Sequence, residues 1–234
     1  MIRLIGFDAD DTLWHNEIVY REAKEALANL LAPFAEPRRT LEHLDHAEVE
    51  NVGVYGYGIK SFTFSMLETA VELSGSALTA AHIQAILGLG RAMLAREVQP
   101  IPGVAETVTS LAQRLPLALI TNGDLAEQTR KIEKSGWREM FRYVHVVADK
   151  TLPMYRAFLA QVGVAPRAFL MVGNSMRSDI LPVLELGGHA ALVPHPLTWD
   201  HESADMPACD DGRFHPLEDI RDVLPLATRL MNSA

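Results

Sequence analysis

Ile2-Arg3-Leu4-Ile5-Gly6-Phe7-Asp8-Ala9-Asp10-Asp11-Thr12-Leu13-Trp14 decides how the rest of the chain is read. Apolar residues dominate from residue 2 to residue 7, and Gly6 is the one turn-forming residue among them. That pattern predicts a short strand buried on both faces. Three carboxylates, Asp8, Asp10 and Asp11, follow within four residues. Desolvating a charge is costly, so carboxylates rarely sit buried and unpaired. A cluster of them at a strand end needs a cation, a proton or water. In an open α/β sheet, ligands bind at the carboxyl ends of the strands. An ionised Asp there can act as a nucleophile, and a second Asp two residues on can move protons. Mg²⁺ suits all-oxygen ligands and relieves the repulsion among carboxylates. The same residues also read as an acidic turn that caps a helix at Asp11 or Thr12.

Outward from this strand the pattern turns helical. Helices are predicted over 16–31, with Asn16 as N-cap, over 39–50, over 59–73 and over 79–97. Residues 51–58, rich in Gly and Tyr, read as a loop. No strand is expected between Trp14 and Pro100. From Pro100-Ile-Pro-Gly103 onward the rhythm becomes helix, strand, helix, strand. Strands are predicted over 117–120, 143–147, 168–172 and 190–193. Helices are predicted over 104–114, 124–135, 154–162 and 178–186. Residues 194–213 read as a polar loop, and 217–231 as a last helix broken or shifted at Pro225. Five short apolar strands alternating with helices imply an α/β fold: a Rossmann-like parallel five-stranded sheet with helices on both faces. The core is expected over 1–14 and 99–234, with an all-helical domain over 15–98 inserted after the first strand.

Composition sets bounds. The chain has 234 residues and 48% hydrophobic content, enough for a packed core. A net charge of −9 argues against a nucleic-acid partner. Cys209 is the single cysteine, so no internal disulfide forms. It sits in a polar stretch and reads as an inert thiol. Neither a signal peptide nor a membrane span is expected, which fits a cytoplasmic protein without a membrane partner. His43 and His46 read as a solvated pair rather than a metal site.

Four motifs carry a family resemblance. Phe7-Asp8-Ala-Asp10-Asp11-Thr12-Leu13 resembles motif I of the haloacid dehalogenase-like hydrolases. Leu117-Ala-Leu-Ile-Thr121-Asn122-Gly123 resembles motif II. Asp149-Lys150 lies where the motif III lysine is expected. Phe169-Leu-Met-Val-Gly173-Asn174-Ser175-Met-Arg-Ser178-Asp179 resembles motif IV. The resemblance implies a helical cap of the C1 type over 15–98 and a phosphoric monoester hydrolase acting on a small phosphorylated metabolite through an aspartyl-phosphate. Asp8 is then the nucleophile and Asp10 the general acid and base. Asp8, Asp10 and Asp179 would hold Mg²⁺, and Thr121, Asn122, Gly123 and Lys150 would hold the phosphate. Asn174, Ser175 and Ser178 would orient the metal's surroundings. Taken singly, Thr121-Asn-Gly reads better as a tight turn, while Lys150 reads equally as a surface lysine and Asp179 equally as a first-turn helix residue.

Two departures from the family pattern stand out. Thr151-Leu152-Pro153 follows Lys150 where relatives often have Pro at once, and Asn174 stands where many have Asp. Rivals on the same fold are a 2-haloacid dehalogenase or a phosphonate-type hydrolase. A receiver-like phosphate switch is the rival from another class. Homo-oligomers are possible on this reading.

Overall fold

A computed structural model describes residues 1–197, 199 and 212–232. Cys209 and most of the expected 194–213 loop lie outside these residues. The chain divides into two compact units. One comprises Met1–Glu17, Val98–Asn122 and Gln128–Ala234; the other comprises Ile18–Glu97 with Gly123–Glu127. No helix among the described residues is long and apolar enough to cross a membrane.

The first unit carries the strands β1 (Leu4–Phe7), β2 (Trp14–His15), β3 (Gln99–Pro100), β4 (Leu117–Asn122), β5 (Tyr143–Val147), β6 (Phe169–Gly173), β7 (His189–Leu192) and β8 (Phe214–Pro216). Along the chain, the helices are α1 (Glu17–Leu30), α2 (Pro37–Tyr55), α3 (Ile59–Ser74), α4 (Ala80–Ala95), α5 (Val104–Ala112), α6 (Leu125–Ser135), α7 (Leu152–Val162), α8 (Leu181–Leu186) and α9 (Val223–Asn232). Six strands form one sheet in the order β5-β4-β1-β6-β7-β8, with every pairing parallel.

The sequence leads one to expect five strands; the sixth, β8, pairs Phe214 with Ala190 at the sheet edge. Three residues ending in a proline leave no alternation to read. Pro216 is tolerated there because an edge strand can spare a donor. β2 and β3 are likewise unexpected: Trp14 pairs with Pro100 and His15 with Gln99, antiparallel.

Alternate residues of the central strands face opposite ways, and both faces are covered. Leu4, Ala118, Ile120, Phe169 and Met171 pack with Tyr155, Phe158 and Leu159 of α7. Ile5, Phe7, Leu117, Leu119, Leu170 and Val172 pack with Val104, Val108 and Leu111 of α5 and with Val223, Leu226 and Leu230 of α9. All of these residues are buried. Burial of each large apolar side chain contributes roughly 1.5–3 kcal/mol. Gly6 serves this packing, because a Cβ there would lie 2.7 Å from Cζ of Phe169. The ring fills the space that a side chain on β1 would take.

The second unit has its own core, built from Leu27 of α1, Leu44 of α2, Ile59, Phe62 and Met66 of α3, and Ile86 and Met93 of α4. α2 runs to Tyr55, past the end expected at residue 50, and absorbs most of the predicted loop. Buried Asn51 donates to Ser65 Oγ (3.1 Å) and Glu68 Oε2 (2.6 Å), so α3 holds this last stretch of α2 in place. Only Gly56 to Gly58 remain as a link, with φ of 78° at Gly56 and 118° at Gly58, values that favour glycine. α9 starts at Val223, later than expected. Pro225 falls in its first turn, where the missing N–H costs nothing, so it does not break the helix.

Candidate active site

β1 lies between β4 and β6, and the chain leaves it to build the sheet in both directions. Such a reversal of strand order opens a crevice at the carboxyl ends. Asp8 follows β1, Thr121 and Asn122 end β4, and Gly173 ends β6, just before Asn174.

Lys150 ties the ends together. Its Nζ donates to Asp8 Oδ1 and to Asp179 Oδ1, both at 2.6 Å, and all three side chains are buried. Thr12 Oγ1 lies 2.9 Å from Asp8 Oδ2 and 3.2 Å from Asn174 Oδ1. One hydroxyl proton serves one acceptor; Asp8 is the nearer and the ionic one, so Asn174 meets Thr12 best with its amide turned to present N–H. Asp179 Oδ2 accepts from the Ser175 backbone N–H at 3.1 Å, and Ser175 Oγ accepts from the Ser178 N–H at 2.9 Å. The turn that does this, Met176–Ile180, is a wide π-type turn ahead of α8 rather than the start of the α-helix expected from residue 178. Tyr155 donates to the Ser178 carbonyl at 3.1 Å and steadies the turn from α7.

Burial raises Asp8 and Asp179 above the ordinary carboxylate range, and Lys150 pulls each back only in part. For Lys150, burial works against the charge, but Asp179 and Asp8 outweigh it and hold the ammonium charged. One buried cation therefore serves two buried carboxylates, and a proton or a further cation can balance the second charge.

Asp10 faces a second set of partners. Lys131 Nζ lies 2.8 Å from Asp10 Oδ1 and 2.6 Å from Oδ2. Trp14 Nε1 donates to Oδ1 at 2.6 Å, and Gln128 Nε2 to Oδ2 at 2.8 Å. Gln128 also donates to the Asn122 carbonyl at 2.8 Å, joining Asp10 to the end of β4. Trp14 is itself fixed by stacking against Trp137, with ring centroids 6.4 Å apart. Sequence reasoning missed Lys131 and Gln128. Their spacing of three puts them on one face of α6, but polar residues on an amphipathic helix ordinarily signal only solvent.

Thr121 is buried at the end of β4, with its hydroxyl 3.4 Å from the Asn122 carbonyl, a long contact. Gly123 has φ 141°, a backbone state that suits glycine. Asp11 turns away to another task. Its φ is 59°, which Asp tolerates better than most residues. Its carboxylate accepts the Asn16 N–H at 2.8 Å and the Glu17 N–H at 3.1 Å, so Asp11 caps α1 where Asn16 was expected to. Burial pushes the Asp11 carboxyl up to about 7 despite these amides.

A protein-family model for haloacid dehalogenase-like hydrolases matches residues 2–187. The chain belongs to that family. Other likenesses agree with it. A haloacid dehalogenase-like hydrolase from Xanthomonas campestris is 35% identical, with a TM-score of 0.86 over 98% of this chain and 96% of that one. The glyceraldehyde 3-phosphate phosphatase of Methanothermobacter thermautotrophicus is 26% identical over 85% of this chain and 88% of its own. A 2-haloacid dehalogenase from Pseudomonas syringae shares the fold, at 18% identity and a TM-score of 0.65 over 98% of this chain and 99% of its own. This haloacid dehalogenase-like hydrolase is thus an enzyme of hydrolytic type on a mainly parallel, Rossmann-like sheet.

Proposed function

We propose that this hydrolase is a Mg²⁺-dependent phosphatase of small phosphorylated metabolites, working through an aspartyl-phosphate on Asp8. The observation that carries the reading is the single ammonium of Lys150 shared by two buried carboxylates, Asp8 and Asp179. These carboxylates, with the Asp10 main-chain carbonyl that the family resemblance adds, would offer an all-oxygen donor set, which fits a hard divalent ion. When bound, Mg²⁺ supplies charge neutralisation and orients the phosphate for in-line attack.

The chain's own groups account for the rest. An Asp8 carboxylate oxygen attacks phosphorus, and the phosphorus–oxygen ester bond breaks. Asp10 in its protonated form gives its proton to the departing alcohol, and Lys131, Gln128 and Trp14 then stabilise the carboxylate that is left. It then takes one from the water that attacks the phosphoryl group, and the bond to Asp8 breaks. The Thr121 hydroxyl and the Asn122 and Gly123 amides bind phosphate oxygens, and Lys150 offsets their charge. Ser175 and Ser178 hold Asp179, and Asn174 holds Thr12 against Asp8. Residues 15–98 are the cap unit of this reading.

The relative from Methanothermobacter thermautotrophicus, a phosphatase of a three-carbon phosphate by its name, supports the substrate class. The net charge of −9 favours a small molecule over a nucleic acid. The test is hydrolysis of p-nitrophenyl phosphate with and without Mg²⁺. Asp8→Asn is expected to lower kcat by at least about 10³-fold with an unchanged circular dichroism spectrum. Undiminished turnover in that variant overturns the reading, as does halide release from 2-chloropropionate without added metal.

A further inference from the structure

Beside the candidate active site, three side chains from separate parts of the first unit converge. They are Asp11 from the turn after β1, His15 on β2, and His195 from the segment after β7. His15 Nδ1 lies 3.2 Å from His195 Nε2, and His195 Nε2 lies 3.4 Å from Asp11 Oδ1. One ligand atom from each of the three falls within 4.8 Å of the others. The His195 and Asp11 side chains are only 5% and 8% exposed, so the meeting point is largely shielded from bulk water.

In the structure the Leu197 N–H donates to His195 Nδ1, which leaves His195 Nε2 to donate toward His15 Nδ1 and Asp11 Oδ1. A cation can take the place of that shared proton, because all three atoms can direct lone pairs at one centre. The spacing supports this. Bonds of 2.0–2.1 Å in a tetrahedron place neighbouring ligand atoms about 3.3 Å apart, between the two distances observed here.

We propose that Asp11, His15 and His195 form a second metal site, for Zn²⁺, with water as the fourth ligand. Two imidazoles select a borderline transition ion over the hard Mg²⁺ assigned to the oxygen cluster. The ion fastens the segment after β7 to the turn that links Asp10 to β2. Loading shifts the His195 proton to Nδ1, so the 3.3 Å contact there from the Leu197 N–H opens.

The experiment uses the full chain without a polyhistidine tag, stripped by chelator, then titrated with Zn²⁺ by calorimetry and assayed for metal after gel filtration. One equivalent is expected at micromolar affinity or tighter. His15→Ala and His195→Ala should each weaken binding at least tenfold. Co²⁺ in the same protein should give the visible absorption of a tetrahedral ion, lost in both variants. Asp179→Asn should keep the equivalent. Should a variant fail to fold, the wild-type stoichiometry and the Co²⁺ spectrum still decide. No bound zinc in the wild type, an unchanged affinity in a folded His15 or His195 variant, or loss of the equivalent in Asp179→Asn overturns the proposal. None of these readouts depends on phosphatase activity, so the two readings fail separately.

Discussion

Gly173 has no room for a side chain: a Cβ there would overlap the Asp179 carboxylate. The strand end and the acid are packed so closely that the smallest residue is the one that fits. Gly173→Ala must displace either the Ser175–Asp179 turn or the carboxylate, and with it the contact to Lys150. We expect kcat on p-nitrophenyl phosphate to fall about 100-fold, since a misplacement of about 1 Å has that effect, with weaker activation by Mg²⁺. Normal activation in a Mg²⁺ titration would show that the carboxylate stays put. Lys131 permits a different kind of test. It touches both Asp10 oxygens, so Lys131→Met should lower kcat roughly 10–100-fold with little change in KM. Lys131→Arg should recover part of the loss, and steady-state kinetics of the pair checks this. A change in KM alone would mean that Lys131 serves substrate binding.

At the scale of elements, what could be read in the sequence depended on length and on repetition. The central strands announced themselves because burial on both faces leaves unbroken apolar runs. β2, β3 and β8 have two or three residues each, too few to show a period. In the sequence α2 looks shorter than it is because Gly53 and Tyr55 resemble loop residues, while the contacts of Asn51 that hold the helix come from α3. Within the site, Asp8 is legible because buried strands rarely end in carboxylates, and Asp179 only through the motif that follows β6. Lys131, Gln128 and His195 are not, since nothing local distinguishes them from solvated residues. β1 offers a direct check on packing. Gly6→Ala brings a methyl within 2.7 Å of the Phe169 ring and should cost about 1–3 kcal/mol of stability by overpacking. Combining it with Phe169→Leu should cost about 1 kcal/mol less than the two single changes predict together. Urea denaturation of the four proteins measures this, and strict additivity would remove the steric explanation for Gly6.

For the molecule as a whole, the decisive property is that one chain builds two cores. Leu27, Leu44, Phe62, Met66 and Ile86 belong to the helical unit's own cluster, while β1 and β6 are buried among residues of the other unit. Among the described residues, every apolar side chain of that cluster belongs to the helical unit. Local stability should therefore differ between the units, because proteins open in cooperative blocks that follow their packing. Met66 is fully buried in α3, and Met66→Ala should cost roughly 2–5 kcal/mol. If the blocks are separate, that cost falls on the amides of α1 to α4, whose hydrogen exchange should quicken by about 30-fold or more, each 1.4 kcal/mol being a factor of ten. The amides of β1 and β6 should keep their protection. Hydrogen–deuterium exchange read by mass spectrometry separates these segments. Equal acceleration across the helices and the central strands would show that the two cores unfold as one.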